Sequence, residues 1–306
     1  MKIFYVGDTS SPFVQLDINQ LKELGHDVTV SETCNEFIMF PIYLINCIYN
    51  FTQILESDII YIWFADVPAV PLMLIAKLTD RPLVVWVGEY EVRNEPEIEY
   101  GNQRSFFRGM VTRWVLRNAA KVIVPSPPYI DVVKDVEPRS TDILVIPWCV
   151  DTKEFGLPTE KNDLVVSASF SKGSNLRKGI YHFISATKDI PHKIIQGLSR
   201  EDYIDTIKKA KVYCQFTKPP LESFGVSLLE AMQYGAVPVI TSCPAMEWVV
   251  GGTGIVVQYG DINMMRNAIL KAKTMNGAPA IKRASEFSYE KRLQNLKNML
   301  VNVVKD

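Results

Sequence analysis

Glu222-Ser223-Phe224-Gly225-Val226-Ser227-Leu228-Leu229-Glu230-Ala231-Met232 sets two carboxylates eight positions apart. The first precedes a Phe-Gly turn. The second lies inside an apolar run that reads as a helix over Ser223–Tyr234. Phe224, Val226, Leu228, Leu229, Met232 and Ala236 leave this run no polar face, which predicts a buried helix. Gly225 at its start permits close approach of a ligand to the backbone. The unpaired N–H groups there form an anion site. Eight helical residues rise roughly 12 Å, so a diphosphate on this terminus would have one carboxylate on either side. Hydroxyls of a ribose and of a sugar suit those two acids better than a metal does. The alternative is a buried helix with two incidental acids, which is costly for Glu230 unless it has a partner.

Short β-branched runs alternate with helical stretches on both sides of this segment, the pattern of a parallel α/β sheet. Strands are expected at 2–6, 27–30, 58–64, 82–87, 121–125 and 143–146. The pattern restarts at 163–168, 192–195, 211–216, 236–241 and 255–257. Helical stretches include Phe37–Leu55, Arg104–Asn118, Gly179–Lys188, Glu201–Lys209, Ile262–Thr274 and Tyr289–Val304. Pro147–Asn162 reads as a linker. With 306 residues, two domains are the prior. Two Rossmann-like halves fit best, with ligand at the carboxyl ends of the strands.

Composition narrows the class further. The chain is 47% apolar and 22% charged, with formal net charge −1, which gives no support to bulk nucleic-acid binding. Its five cysteines are scattered, so neither a disulfide framework nor a zinc site is expected. Met1-Lys2 runs directly into a strand, so no secretory leader is expected. Cytoplasmic localisation follows as the plain expectation.

The stretch from Glu222 continues as Tyr234-Gly235-Ala236-Val237-Pro238-Val239. This resembles the retaining glycosyltransferases of family 4, where a Glu, Phe-Gly, Glu-Ala and Gly-x-Pro-Val occur in this order. Leu24-Gly25-His26-Asp27-Val28, Val145-Ile146-Pro147, Arg177-Lys178-Gly179 and Thr253-Gly254-Ile255 extend the likeness over nearly the whole chain. The resemblance implies a GT-B fold, with two Rossmann-like domains facing a central cleft. An acceptor-side domain at 1–150 and a nucleotide-sugar domain at 151–285 are implied, the latter shortened here because Gln196-Gly197-Leu198 runs directly into the next helix where relatives carry a further strand and helix. A C-terminal helix at 286–306 would return to the first domain.

The implied activity is retaining, metal-independent transfer of a hexose-like sugar from a UDP- or GDP-linked donor to a hydroxyl acceptor. That acceptor is a glycan, a lipid-linked group or a small molecule. No cofactor is implied beyond the donor substrate. By the same likeness Glu230 would bind the ribose and Glu222 the donor sugar. Gly225 and Val226, beside Phe224, would hold the diphosphate, and Lys178 would neutralise it.

Three further departures qualify the likeness. Lys172 stands nearest to the place of a usual Arg and either replaces it or is ordinary loop charge. Only Gly7 remains of a usual Gly-Gly in the loop Gly7-Asp8-Thr9-Ser10-Ser11-Pro12, which also reads as a capped turn. After Val84-Val85-Trp86-Val87 come Gly88-Glu89-Tyr90-Glu91 in place of a usual His. Glu89 or Glu91 would take that role. These departures feed a second reading, a non-catalytic nucleotide-sugar-binding subunit; a nucleotide-sugar epimerase is a third.

Arg104–Lys121 is basic and amphipathic, with Phe106, Phe107 and Trp114 among its arginines. It reads either as a solvated Rossmann helix or as a peripheral contact with the inner membrane face. Phe37–Leu55 is a second candidate surface.

Overall fold

The computed structural model describes residues 1–33, 40–140, 142–150, 161–169 and 171–303, with the side chain at 172 excepted. Ten residues of the expected linker, 151–160, lie outside the described residues. The chain forms two compact units, Met1–Ile146 with Leu293–Asp306, and Pro147–Arg292.

In the first unit the chain runs β1 (Lys2–Gly7), α1 (Pro12–Glu23), β2 (Asp27–Glu32), α2 (Phe40–Tyr49), α3 (Phe51–Glu56) and β3 (Ile59–Trp63). It continues with α4 (Ala69–Thr79), β4 (Leu83–Trp86), α5 (Phe106–Asn118), β5 (Lys121–Val124), α6 (Pro128–Val136) and β6 (Ile143–Val145). The strands pair in parallel in the order β2-β1-β3-β4-β5-β6. All five residues of β3 are buried, as expected of a strand covered on both faces.

The second unit holds β7 (Leu164–Ala168), α7 (Ile180–Ala186), β8 (His192–Ile195), α8 (Arg200–Lys209), β9 (Ala210–Gln215) and α9 (Val226–Gln233). After these come β10 (Val237–Thr241), α10 (Pro244–Val250), β11 (Ile255–Val257), α11 (Ile262–Thr274) and α12 (Ala278–Ala284). Last is α13 (Tyr289–Val303), which runs on into the first unit's C-terminal segment. The parallel order is β11-β10-β9-β7-β8. Strand order thus reverses beside the first strand of each sheet, between β1 and β3 and between β7 and β9. Crevices outside the carboxyl ends of such strands are where open α/β sheets take ligands.

Several helices differ from their sequence expectation. The stretch 37–55 is not one helix: it breaks at Asn50, which joins α2 to α3, and residues 37–39 lie outside the described residues. The helix expected from Arg104 begins at Phe106, capped by the Ser105 side chain accepting from Arg108 N–H. Helices α10 and α12 have seven residues each, too short to show a period.

An acid lies within the core of the first sheet. Asp17 of α1 is fully buried and accepts from Tyr5 Oη at 3.3 Å, Tyr61 Oη at 3.3 Å and Trp63 Nε1 at 3.0 Å. Tyr5 and Tyr61 are register partners on β1 and β3, and Trp63 lies two residues on, on the same face. The three donors therefore converge on one carboxylate, which ties α1 to the two strands flanking the switch point. Asp17→Leu is expected to lower the unfolding free energy by about 3 kcal/mol or more, since it removes the shared acceptor of three buried donors. Asp17→Asn, retaining one acceptor oxygen, is expected to lose less. Equal losses in urea titrations would contradict this account.

Candidate functional site

The loops after β7 and β9 meet at the switch point of the second sheet. Gly179 has φ +65°, and a Cβ there would lie 1.9 Å from the Phe216 carbonyl oxygen. Only glycine fits both the conformation and the space. Lys218 N–H donates to the Arg177 carbonyl at 2.8 Å, stitching the two loops together. Lys178, held between these anchors, donates to Glu222 Oε2 at 2.5 Å.

Glu222 is 7% exposed and also accepts from Gln215 Nε2 at 2.5 Å. Burial alone raises its pKa. The charges of Lys178 and Arg177 outweigh burial, together with hydrogen bonds from Lys178 and the Phe224 backbone, and hold the carboxyl below its ordinary value. Glu222 is therefore an anion, with two cations around it.

Helix α9 starts later than its sequence suggests. Gly225 is its N-cap, with φ +93° and no side-chain cap bond, so Ser223–Gly225 form a turn and helix begins at Val226. Glu222 lies off the helix, and the 12 Å separation estimated above does not apply. Only Val226–Glu230 is helical between the two acids, a rise of about 6 Å. The uncapped first-turn N–H groups of α9 remain an anion-attracting terminus. Tyr213 Oη, donating to Ser227 Oγ at 2.8 Å, pins this turn to β9. Phe224 is 1% exposed and packs edge-on against Trp248 and Phe287. Its ring anchors the turn rather than presenting a surface to a ligand.

Glu230 has its own partners. Arg200 Nη2 donates to one oxygen and Tyr203 Oη to the other, each at 2.5 Å. Burial, followed by the Glu230 charge, pushes the Tyr203 phenol well above its usual range. Arg200, Glu230, Gln233 and Tyr234 help line a pocket of about 220 Å³ in this unit. A carboxylate has about four lone-pair sites, so Glu230 retains acceptor capacity for further hydroxyls. Arg200 and Tyr203 escaped the sequence reading. Their i, i+3 spacing places them on one face of α8, but the partner is 27 residues or more away in the chain. Arg177 was seen only as part of a motif, and its charge on Glu222 emerges from the fold. The side chain of Lys172 lies outside the described residues.

The remaining expected residues belong to the first unit. A Cβ on Gly7 would meet Val14 Cγ1 at 3.0 Å, so this glycine lets α1 pack closely on β1. Glu89 is buried at the end of β4, and its N–H donates to Glu91 Oε2 at 3.0 Å. Glu91 also accepts from Gly88 N–H at 3.1 Å. It is Glu91, not Glu89, that helps line a second pocket, of about 350 Å³, with Trp63, Phe64, Tyr90 and the Arg108–Asp66 ion pair. Phe64 has φ +73°, a conformation costly for a non-glycine residue. Its ring lies over Gly88, where a Cβ would approach to 2.8 Å.

Among the described residues no group of three or more His, Cys, Asp or Glu side chains is arranged to hold a metal ion.

Residues 189–294 match the family described as "Glycosyl transferases group 1". No curated protein matches the chain. Among solved structures, sucrose-phosphate synthase from Thermosynechococcus elongatus aligns with TM-score 0.80 at 15% identity, over 99% of each chain. HepE from Anabaena, solved in complex with UDP and glucose, aligns with TM-score 0.76 at 17% identity, over 99% of this chain and 100% of that one. A glycosyltransferase from Rickettsia africae gives 0.71 at 14% identity, over 100% and 99%. The two parallel-sheet units are thus those of the GT-B fold. The family match covers part of the second unit and contains both Glu222 and Glu230.

Burial pushes the Glu91 carboxyl from 4.5 up to about 7, against hydrogen bonds from its own backbone, Gly88 and Glu89. Between those pH values the folded chain keeps a proton that the unfolded chain has lost. Stability must then fall as pH rises through that window, by roughly 3 kcal/mol. Urea titrations across pH 4.5–7 should show this slope in the wild type and lose it in Glu91→Gln. An unchanged slope in the variant would contradict the assignment.

Proposed function

We propose that the protein is a retaining, hexosyltransferase-like glycosyltransferase using a UDP- or GDP-linked sugar and a hydroxyl acceptor, without a divalent metal. The observation that carries this reading is the Lys178–Glu222 pair at 2.5 Å, beside the uncapped start of α9. A lysine ammonium has three donors. One is used on Glu222, leaving two for oxygens of a diphosphate. Arg177 and the α9 N–H groups add positive potential at the same place. Such preorganised charge stabilises a leaving diphosphate as its bond to the anomeric carbon breaks. The acceptor oxygen bonds that carbon on the same face, and the acceptor proton passes to a phosphate oxygen. Glu222 would orient donor-sugar hydroxyls, and Glu230 would accept from the ribose while Arg200 and Tyr203 fix its rotamer. A protein of the same fold holds UDP and glucose, which supports a nucleoside diphosphate as the leaving group.

The first-unit pocket suits a hydroxyl-bearing acceptor. Trp63, Phe64 and Tyr90 offer aromatic faces, and the Arg108–Asp66 pair offers donors and acceptors.

Thermal denaturation with UDP, GDP and their sugars tests the donor claim. A nucleotide at a hundred times its Kd stabilises by about 2.7 kcal/mol. Glu230→Ala is expected to abolish the shift. Lys178→Met is expected to lower turnover roughly 10²–10³-fold. Binding with no turnover across many acceptors would favour a non-catalytic binder, and unimpaired turnover in Lys178→Met would overturn the electrostatic role.

A further inference from the structure

Helix α2 breaks the usual rule for surface helices. It carries no charged residue, yet only Tyr43 and Cys47 are buried. Ile45, Ile48 and Tyr49 are 64%, 74% and 82% exposed. An isolated exposed leucine or isoleucine is ordinary, but a whole exposed apolar helix face marks a contact surface.

The face extends beyond α2. Tyr43 Oη donates to the Pro68 carbonyl at 2.8 Å, fastening α2 at the start of α4, and α4 packs on α5. Leu74 and Leu78 of α4 are exposed, as are Phe106, Phe107 and Met110 of α5. Three adjacent helices of the first unit therefore present apolar side chains to solvent.

Charge on these helices has one sign. α2, α4 and α5 contain Lys77, Arg108, Arg113 and Arg117 and no Asp or Glu. Arg108 and Arg117 are neutralised by Asp66 and Glu137. Lys77 and Arg113 instead bond the uncharged amides of Asn118 and Gln103, and Arg104, just before α5, is exposed. Lys77 also lies over the Trp114 ring, but no carboxylate is seen paired with these three cations among the described residues, so their charge can meet an outside partner.

We infer that the α2–α4–α5 face docks on an anionic lipid surface, its apolar side chains entering the headgroup layer while Lys77, Arg104 and Arg113 meet lipid charge. A second copy of this chain fits poorly, because the charged residues within the three helices are all cations, which repel when two such faces are apposed. Among the described residues no helix is long and apolar enough to cross a membrane, so the contact is superficial. This inference does not depend on the catalytic reading, since lipid binding is measured without a sugar donor.

Co-sedimentation of the full chain with vesicles tests it. Vesicles of phosphatidylcholine and phosphatidylglycerol should bind the protein, and phosphatidylcholine alone should bind it far less. High salt should weaken binding. Ile45→Glu/Ile48→Glu should reduce affinity at least about tenfold, and Lys77→Ser/Arg104→Ser by about fivefold for each cation removed. All four positions are exposed, and circular dichroism should show both variants folded. Ile45→Ser/Ile48→Ser, which adds no charge, should still lose affinity. The inference is overturned if the wild type ignores anionic vesicles at low salt, or if the variants bind as it does. A dimer in light scattering that Ile45→Glu/Ile48→Glu dissociates would also overturn it, assigning the face to a second copy.

Discussion

The turn at Arg177–Gly179 sits against the end of β9, and the candidate site depends on that contact. Gly179 approaches the Phe216 carbonyl so closely that no side chain fits between them. This fixes Lys178 within hydrogen-bonding distance of Glu222. A buried ion pair of this kind adds little net stability, because desolvation opposes the Coulombic gain. Removing one partner is another matter, since it strands a buried charge. The pair is better understood as preorganisation: an ammonium and a carboxylate held in fixed register at a helix start, before any ligand arrives.

The same topology serves both units. Each sheet reverses strand order beside its first strand, and loops from neighbouring strands converge there. In the second unit this convergence collects Lys178, Arg177, Glu222 and the start of α9. In the first it collects Phe64, Asp66, Tyr90 and Glu91. The two sets differ in chemistry. One is cationic around an anion-attracting helix terminus, and the other is aromatic with an ion pair and a carboxyl that titrates at about 7. A diphosphate suits the first, and a hydroxyl-bearing acceptor suits the second.

Much of this was legible in the sequence, because strands buried on both faces announce themselves as apolar runs. Every expected strand is present, and parallel pairing follows from the alternation with helices. The start of α9 was misjudged because Phe224 is as apolar as the helix it precedes, and only the backbone at Gly225 reveals a turn. Long-range polar pairings were the other blind spot. Nothing near Asp17 in the chain suggests that two strands aim hydroxyls at it, and nothing near Glu230 points to Arg200 and Tyr203. At the end of β4 the residues offered Glu89 first, with Glu91 as the alternative. The fold places Glu91 at the pocket wall, held by two backbone N–H groups, and leaves Glu89 out of that lining. The exposure of α2 was unreadable, since its composition is that of a core helix.

The central claim is that Lys178, beside Glu222 and the start of α9, grips the diphosphate of a nucleotide-sugar donor. Phosphorus NMR of UDP titrated with the protein tests this most directly. The account predicts that the resonances move on binding, the β-phosphorus most, and that Lys178→Met removes most of that displacement while the folded spectrum of the protein persists. Equal displacement in wild type and Lys178→Met would contradict it.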